Sequence, residues 1–337
     1  MLYRALCSIL FSLDPEVSHD LSLKSLSVLA KLGPINPLQT HKVGRPTKVM
    51  GMSFPNRVGL AAGLDKNGEY IDGLSSLGFG FLEIGTVTPK AQPGNPKPRL
   101  FRIPEAQAII NRMGFNNNGV DALIQNVSNS RYSGILGINI GKNKDTPVED
   151  ALSDYLTCLR KVYSYASYVT INISSPNTPG LRSLQNSDHL NQLLKGLAAE
   201  RLILSTEQQR HVPLVLKIAP DLKASEIEFI SDAIISNDFD GIIATNTTSS
   251  RIGVDTYRYG NESGGMSGRP VFQQSTEVVK LISRYTNQTV PIIACGGILD
   301  LEGAQQKLDV GASLVQVYSG FIYRGPELVS QLIKGLI

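Results

Sequence analysis

Thr170-Ile-Asn-Ile-Ser-Ser-Pro-Asn-Thr-Pro-Gly180 decides how the rest of this chain is read. Val169, Ile171 and Ile173 alternate with polar residues, the period-two spacing of a strand. The strand then breaks into Ser174, Ser175, Pro176, Asn177, Thr178, Pro179 and Gly180. Two prolines and a glycine constrain the backbone while hydroxyls and amides crowd one loop. Taken alone, the segment reads as a polar surface turn. Seven other strand ends resemble it, and together they change that reading.

Eight short apolar runs follow one another: Val58–Ala62, Phe79–Thr86, Ile135–Ile140, Tyr168–Ile173, Leu214–Ile218, Gly241–Thr245, Val290–Ala294 and Ser313–Tyr318. Segments able to hold helices separate most of them, among them Tyr70–Leu77, Asp150–Tyr163, His189–Leu204 and Ser225–Ile235. Short buried strands alternating with helices mean βα units and a parallel sheet. Eight such units point to an α/β fold of the (β/α)8 TIM-barrel type. A doubly wound open sheet is the alternative. It should carry a GxGxxG turn after its first strand, and none stands there.

Residues 1–33 read differently. Leu2, Leu6, Ile9, Leu10 and Leu13 recur at helical spacing. Asp14-Pro15-Glu16 reads as the start of a second helix, with Asp as N-cap and Pro in its first position. Leu21, Leu23, Leu26, Val28, Leu29 and Leu32 follow, and Gly33-Pro34 should stop it. The hairpin either packs on the main domain or presents an apolar face to a membrane or lipid-like ligand. Residues 34–48 read as a linker, and Val49–Phe54 as a short strand or hairpin. The expected division is a helical extension over 1–40 and a barrel over 41–337.

Composition narrows the function. The 337 residues carry a net charge of only +3 and no long Lys/Arg run, so a nucleic-acid partner is not indicated. Cys7, Cys158 and Cys295 are scattered, without CxxC spacing, which argues against a disulfide scaffold or zinc site. His19, His41, His189 and His211 are dispersed too, so no metal is expected. There is no apolar run of about 18 residues and no recognisable signal or transit peptide, so the mature chain is expected to start near Met1.

In such a barrel the site lies at the C-terminal strand ends. Those ends read Ala61-Ala62-Gly63-Leu64-Asp65-Lys66, Gly85-Thr86-Val87, Asn139-Ile140-Gly141-Lys142, Asn172-Ile173-Ser174-Ser175, Lys217-Ile218-Ala219-Pro220-Asp221, Thr245-Asn246-Thr247-Thr248, Gly296-Gly297-Ile298 and Tyr318-Ser319-Gly320. The last two ends, with Gly264–Gly268 nearby, suit close backbone approach to a phosphate. The rest is rich in amides and hydroxyls, with Lys66 and Lys217 as its clearest cations. That chemistry suits a flat heterocycle with an anionic edge. Asn111–Asn118 adds amides and, taken alone, could equally be a helix-capping turn. No Ser-His-Asp arrangement or carboxylate pair is visible, which argues against a conventional hydrolase.

Taken together, GLAAGLDKNGE (59–69), EIGTVTPKAQPGNPKPRLFR (83–102), NRMGFNNNG (111–119), GINIGKNKDTPVEDA (137–151), NISSPNTPGLRSLQ (172–185), KIAPDL (217–222), TNTT (245–248), SGRP (267–270), GGI (296–298) and VYSGF (317–321) closely resemble the class 2 dihydroorotate dehydrogenases, the membrane-associated, quinone-reducing form. The resemblance covers almost the whole chain. It implies FMN bound by Ala62, Gly63, Leu64, Asp65, Lys66, Thr86, Asn139, Asn172, Lys217, Thr245, Gly268, Gly297, Tyr318 and Ser319. It assigns the dihydroorotate substrate to Lys66, Asn111, Arg112, Met113, Gly114, Phe115, Asn172, Asn177, Asn246 and Thr247. Ser175 matches the family's base, where class 1 enzymes have cysteine. No His stands in this loop to activate it, so Thr178 or a water is expected to relay the proton. Pro176, Pro179 and Gly180 would make the loop a lid.

The resemblance further implies ubiquinone or menaquinone as electron acceptor, reached through a tunnel under the N-terminal hairpin, with His19, Arg102 and Tyr318 near the route. It implies a monomer held peripherally on the cytoplasmic face of an inner membrane, acting in pyrimidine biosynthesis. Cys295 stands where relatives often carry a small aliphatic residue, and 251–263 has no assigned role. Two other barrel chemistries compete: a tRNA dihydrouridine-forming reductase, which should carry a basic RNA face and a further C-terminal domain, and a flavin-free Schiff-base enzyme using Lys217. A non-catalytic membrane adaptor is a third reading, against which the polar strand ends speak.

Overall fold

The computed structural model describes residues 2–33, 44–185 and 187–336. Two helices, α1 (Leu2–Ser12) and α2 (Pro15–Ala30), precede an antiparallel hairpin of β1 (Thr47–Val49) and β2 (Met52–Phe54). The chain continues through β3 (Val58–Leu60), α3 (Ile71–Ser75), β4 (Phe81–Val87), β5 (Leu100–Ile103), β6 (Ala108–Asn111), α4 (Val120–Asn129), β7 (Ile135–Ile140), α5 (Ala151–Val162) and β8 (Tyr168–Asn172). It then runs through α6 (Ser187–Gln208), β9 (Leu214–Ile218), α7 (Ala224–Ser236), β10 (Gly241–Ala244), β11 (Gly265–Gly268) and α8 (Phe272–Tyr285). It ends with β12 (Ile292–Cys295), α9 (Leu301–Asp309), β13 (Leu314–Val317), α10 (Ser319–Arg324) and α11 (Pro326–Gly335).

The eight strands β3, β4, β7, β8, β9, β10, β12 and β13 close into a barrel, each parallel to its neighbours. Each corresponds to one of the eight apolar runs. Period-two alternation sorts their side chains into two cores. Leu82, Ile84, Ile138, Ile171 and Leu216 join the layer between sheet and helices. Phe81, Tyr168, Val215, Ile243, Ile293 and Leu314 fill the barrel interior together with Phe54 and Val49 of the hairpin. The Phe54 and Phe81 rings meet edge-on at 5.2 Å, plugging the end opposite the site.

A second sheet was not foreseen. β5, β6 and β11 form an antiparallel sheet with β6 in the centre, on its own small core of Phe101, Ile103, Ala108, Ile110, Val254 and Met266. Its strands have four residues each and lie in stretches where the sequence suggested no strand. Asn111 therefore ends a strand rather than opening a helix cap.

The helical hairpin forms as expected. Asp14 caps α2 by accepting from the Glu16 and Val17 amides at 2.9 and 3.1 Å, with Pro15 first in the helix. Leu23 and Leu26 of α2 are buried, and Gly73 of α3 lets the two helices close up, since a Cβ there would meet the Ser27 nitrogen at 3.2 Å. Arg102 of β5 donates to the carbonyls of Leu10, Phe11 and Leu13, satisfying the end of α1, and its guanidinium lies 4.6 Å from the Phe11 ring centre. Glu16 is held by Arg99 at 2.7 Å and Lys97 at 2.8 Å. The hairpin thus packs on the barrel domain on one side. On the other it exposes Ile9, Leu13, Val17, Leu21, Val28 and Leu32, with Ile9 65% and Val28 62% accessible. Of the expected linker 34–48, residues 34–43 lie outside the described residues. Among the described residues no helix is long and apolar enough to cross a membrane.

Two glycines set the packing of the barrel interior. A Cβ on Gly59 would stand 2.2 Å from the Phe81 ring, and one on Gly137 2.2 Å from the Tyr168 ring. Gly137→Ala should therefore destabilise the fold by about 1–3 kcal/mol through overpacking, read as a lower denaturant midpoint at unchanged slope.

Candidate active site

The C-terminal strand ends and the edge of the small sheet enclose one cavity. Ala62, Gly63, Lys66, Thr86, Asn172, Ser175, Lys217 and Thr245 line it from the barrel side. Asn111 at the end of β6 and Met113, Gly114 and Phe115 just beyond it line it from the small sheet, and Asn177, Asn246 and Thr247 from the loops after β8 and β10. Ser267, Gly268, Gly296, Gly297, Tyr318 and Ser319 close its far end. Segments scattered over more than 250 residues of sequence are thereby brought to one mouth.

A buried polar network forms the floor. Glu83, on β4 and fully buried, accepts from Asn139 Nδ2 at 2.9 Å, Tyr168 Oη at 3.0 Å and Gln316 Nε2 at 2.8 Å. Lys217 Nζ lies 3.9 Å from Glu83 Oε1. Asn139 then accepts from Thr86 Oγ1 at 2.6 Å, and Asn172 Nδ2 donates to Thr86 Oγ1 at 2.9 Å. Asn172 Oδ1 accepts from Ser174 Oγ at 2.9 Å, and Asn246 Nδ2 donates to that same hydroxyl at 2.9 Å. Each amide is fixed by its neighbour, so the donors and acceptors facing the cavity are preorganised.

The loop after β8 is pinned by Arg182. Its Nε donates to the Ser174 carbonyl at 3.1 Å, its Nη2 to the Thr247 carbonyl at 2.8 Å, and its Nη1 pairs with Asp221 at 2.7 Å. Asn177 Nδ2 donates to the Asn111 carbonyl at 3.0 Å, joining loop to small sheet. Ser175 is buried, and its hydroxyl accepts from the Asn177 amide at 3.2 Å. Thr178 Oγ1 is buried with no hydrogen-bond partner, as are Thr247 Oγ1 and Gln316 Oε1. Of these, Thr247 and Gln316 line the cavity, where a bound polar molecule would satisfy them.

At the opposite end the backbone is glycine by necessity. Gly268, Gly296 and Gly297 have φ of 96°, 122° and 74°, a region other residues avoid. A Cβ on Gly297 would stand 2.5 Å from Phe272 Cα. Ser319 Oγ donates to Ser267 Oγ at 2.8 Å, tying α10 to the small sheet. Burial pushes the Cys295 thiol up, so it remains a neutral wall of the cavity and not a nucleophile.

A second cavity lies between α2 and the barrel, lined by Glu16, His19, Asp20, Leu64, Asp65 and Tyr70. Lys66, Met113 and Tyr318 border both cavities. Burial lowers Lys66 to about 8, with Arg99 acting in the same direction and Glu16, Asp65 and Asp20 against it. Burial, reinforced by Lys66, lowers His19 to about 4, so its ring is neutral near pH 7. Burial raises Asp65 to about 6, against hydrogen bonds from the backbone amides of Tyr70 and Glu69.

Not every expected site residue faces the first cavity. Leu64 and Asp65 border the second one instead. Asn139 lies beneath the floor and reaches the cavity only through Thr86 and Asn172. Arg112 turns away: its guanidinium pairs with Glu262 at 2.7 Å and stacks 4.6 Å from the Phe101 ring centre. That pairing gives the 251–263 segment a structural task. Arg251 closes the same loop by donating to the Glu262 and Gly264 carbonyls at 2.6 and 2.7 Å. Glu83, Gln316 and Arg182 were missed as site residues. The signal for Glu83 was present, a carboxylate inside an otherwise apolar run, while Arg182 could be placed only once the loops were in space.

A family model described as dihydroorotate dehydrogenase matches residues 46–337. A protein from Acinetobacter baumannii named dihydroorotate dehydrogenase (quinone) is 59% identical over 336 residues, spanning 100% of both chains. One of the same name from Methylococcus capsulatus is 58% identical, over 96% of this chain and 95% of that one. Among solved structures, DHODH from Eimeria tenella in complex with ferulenol superposes with a TM-score of 0.88 at 38% identity, covering 96% of this chain and 90% of the other.

Glu83→Ala would strand the Lys217 ammonium beneath the cavity and leave three donors without their acceptor. It should cost about 3–5 kcal/mol of folding stability, measured by denaturant titration, far more than removal of a surface charge.

Proposed function

The chain belongs to the dihydroorotate dehydrogenase family, and on that premise we propose that it oxidises dihydroorotate to orotate with FMN in the larger cavity and a membrane quinone as final acceptor. The balance is one proton lost from C5, a hydride lost from C6, and quinone reduced to quinol. The observation that carries this reading is the pair of cavities sharing Lys66, Met113 and Tyr318, one walled by fixed amides and the other beneath a hairpin with an exposed apolar face.

The residues present fit FMN. Gly268, Gly297, Tyr318 and Ser319 would receive the phosphate on backbone that approaches closely. Ala62, Gly63, Thr86, Asn172, Lys217 and Thr245 would hold the ribityl chain and ring, and the unpartnered Gln316 Oε1 and Thr247 Oγ1 fit a ligand with donors. When bound, FMN supplies the hydride acceptor and passes electrons onward. Lys217 would offset negative charge at the pyrimidine edge. Asn111, Met113, Gly114, Phe115, Asn177, Asn246 and Thr247 would frame the substrate ring, with the floor network holding Asn172 and Asn246 in place.

Ser175 is the proposed base at C5, and Lys66 stabilises the charge that develops on the substrate. A free hydroxyl is a weak base, so burial and fixed dipoles must activate it. The orphaned hydroxyl of Thr178 lies three residues along the same loop and would carry the proton outward. Arg182 holds this loop over the cavity and limits entry of water.

The exposed side chains of α1 and α2 would enter a membrane surface, where fully burying each large aliphatic is worth about 1.5–3 kcal/mol. On this reading the second cavity would lie at the lipid boundary, open to ubiquinone or menaquinone, with the protein peripheral on the cytoplasmic face. The product would serve pyrimidine nucleotide synthesis.

Ser175→Ala should slow flavin reduction by dihydroorotate at least about 100-fold in anaerobic stopped flow while flavin content is unchanged; near-normal reduction would remove Ser175 from the role of base. Lys66 gives a second test. It carries its charge below about 8 and loses it above, so the Kd for orotate should rise tenfold per pH unit beyond that point. Lys66→Met should bind orotate more weakly at neutral pH and lack this break.

A further inference from the structure

Lys307, on α9, is fully buried and faces no carboxylate within 4.0 Å among the described residues. Its ammonium donates to Ser275 Oγ at 2.5 Å and to the Phe272 carbonyl at 3.2 Å, and lies 4.8 Å from the Phe272 ring centre. A cation so placed costs several kcal/mol unless something negative answers it. Its two partners are the residues that back the glycine turn of the larger cavity. Ser275 Oγ lies 3.1 Å from the Gly296 carbonyl, and a Cβ on Gly296 would stand 2.7 Å from that hydroxyl. A Cβ on Gly297 would meet Phe272 Cα at 2.5 Å.

We propose that Lys307 is a positioning residue for the phosphate end of the cavity: through Ser275 and Phe272 it sets the Gly296–Gly297 turn, and its charge, one residue behind that turn, makes the site select a phosphorylated flavin over an unphosphorylated one. The proposal rests on the flavin reading above. Accepting from Lys307 leaves the single hydroxyl hydrogen of Ser275 to be shared between the Gly296 carbonyl at 3.1 Å and the Phe272 carbonyl at 3.2 Å, and Lys307, by donating to that same Phe272 carbonyl, biases the hydrogen toward Gly296 and so orients the Gly296–Gly297 peptide. The missing counter-charge would then be the phosphate of the bound ligand, on the cavity side of the turn. Burial lowers Lys307 to about 7, and a phosphate dianion in the adjoining cavity would favour its charged form.

The test uses full-length holoenzyme, diluted until flavin fluorescence reports release, with riboflavin added in competition to give both dissociation constants in one sample. Wild type should favour FMN strongly. Loss of a cation behind the phosphate end, at the effective dielectric constant of about 20 that suits protein interiors, predicts that Lys307→Met weakens FMN at least about tenfold. Riboflavin should change less than about threefold, and Lys307→Arg should recover part of the preference. Equal weakening of both flavins, or an unchanged FMN-to-riboflavin ratio, would reduce Lys307 to a packing residue and overturn the proposal. Should Lys307→Met fail to fold, Ser275→Ala decides, with a selective loss for FMN supporting the relay and an unchanged ratio overturning it. Wild type that binds no FMN would overturn the flavin reading itself, and this proposal with it.

Discussion

A carboxylate inside the barrel sets the terms for everything above it. Glu83 could not sit fully buried without partners, and the barrel supplies hydrogen bonds from Asn139, Tyr168 and Gln316 and the Lys217 ammonium as counter-charge at 3.9 Å, from four different strands. Those donors cannot turn elsewhere without orphaning the carboxylate. Asn139 is thereby aimed at Thr86, Thr86 and Asn139 at Asn172, and Asn172 at Ser174 and Asn246. The floor of the cavity is a consequence of satisfying one buried group, and its rigidity comes at the stability cost that buried polar networks carry.

The remaining architecture partitions two environments around that floor. The amide-rich loops and small sheet close over one cavity, and α2 covers another. Lys66, Met113 and Tyr318 are the shared wall. The hairpin has two faces: Leu23 and Leu26 bind it to the barrel domain while Ile9, Val17 and Val28 stay outside. Arg102 and Arg99 anchor it by polar contacts, to the carbonyls at the end of α1 and to Glu16.

Much of this was legible in the sequence because it follows from local periodicity. All eight barrel strands, the hairpin with its Asp14 cap, and the β1–β2 turn answer to alternation, capping and punctuation signals that act over a few residues. The small sheet escaped notice because its strands are four residues long, and β11 pairs with β6 across more than 150 positions. Its Asn111 and Gly265 ends look like turn chemistry when read locally. In the candidate site, the strand ends gather at one mouth as their order along the sequence implies, but their division between two cavities could not be read. Leu64 and Asp65 go to the second cavity, and Arg112 swings to Glu262, because side-chain direction depends on long-range partners. Glu83 and Arg182 act through hydrogen bonds most of which reach residues 39 to 233 positions away, and no spacing rule predicts those.

The central claim is that two adjoining cavities couple oxidation of dihydroorotate to reduction of a quinone. It is tested most directly by mixing the purified full-length protein anaerobically with dihydroorotate and following flavin absorbance, then adding quinone or fumarate in parallel samples. The two-cavity arrangement predicts that the flavin bleaches on the first addition and recovers with quinone but not with fumarate. Flavin that stays oxidised with dihydroorotate, or recovers with fumarate and not with quinone, would contradict it.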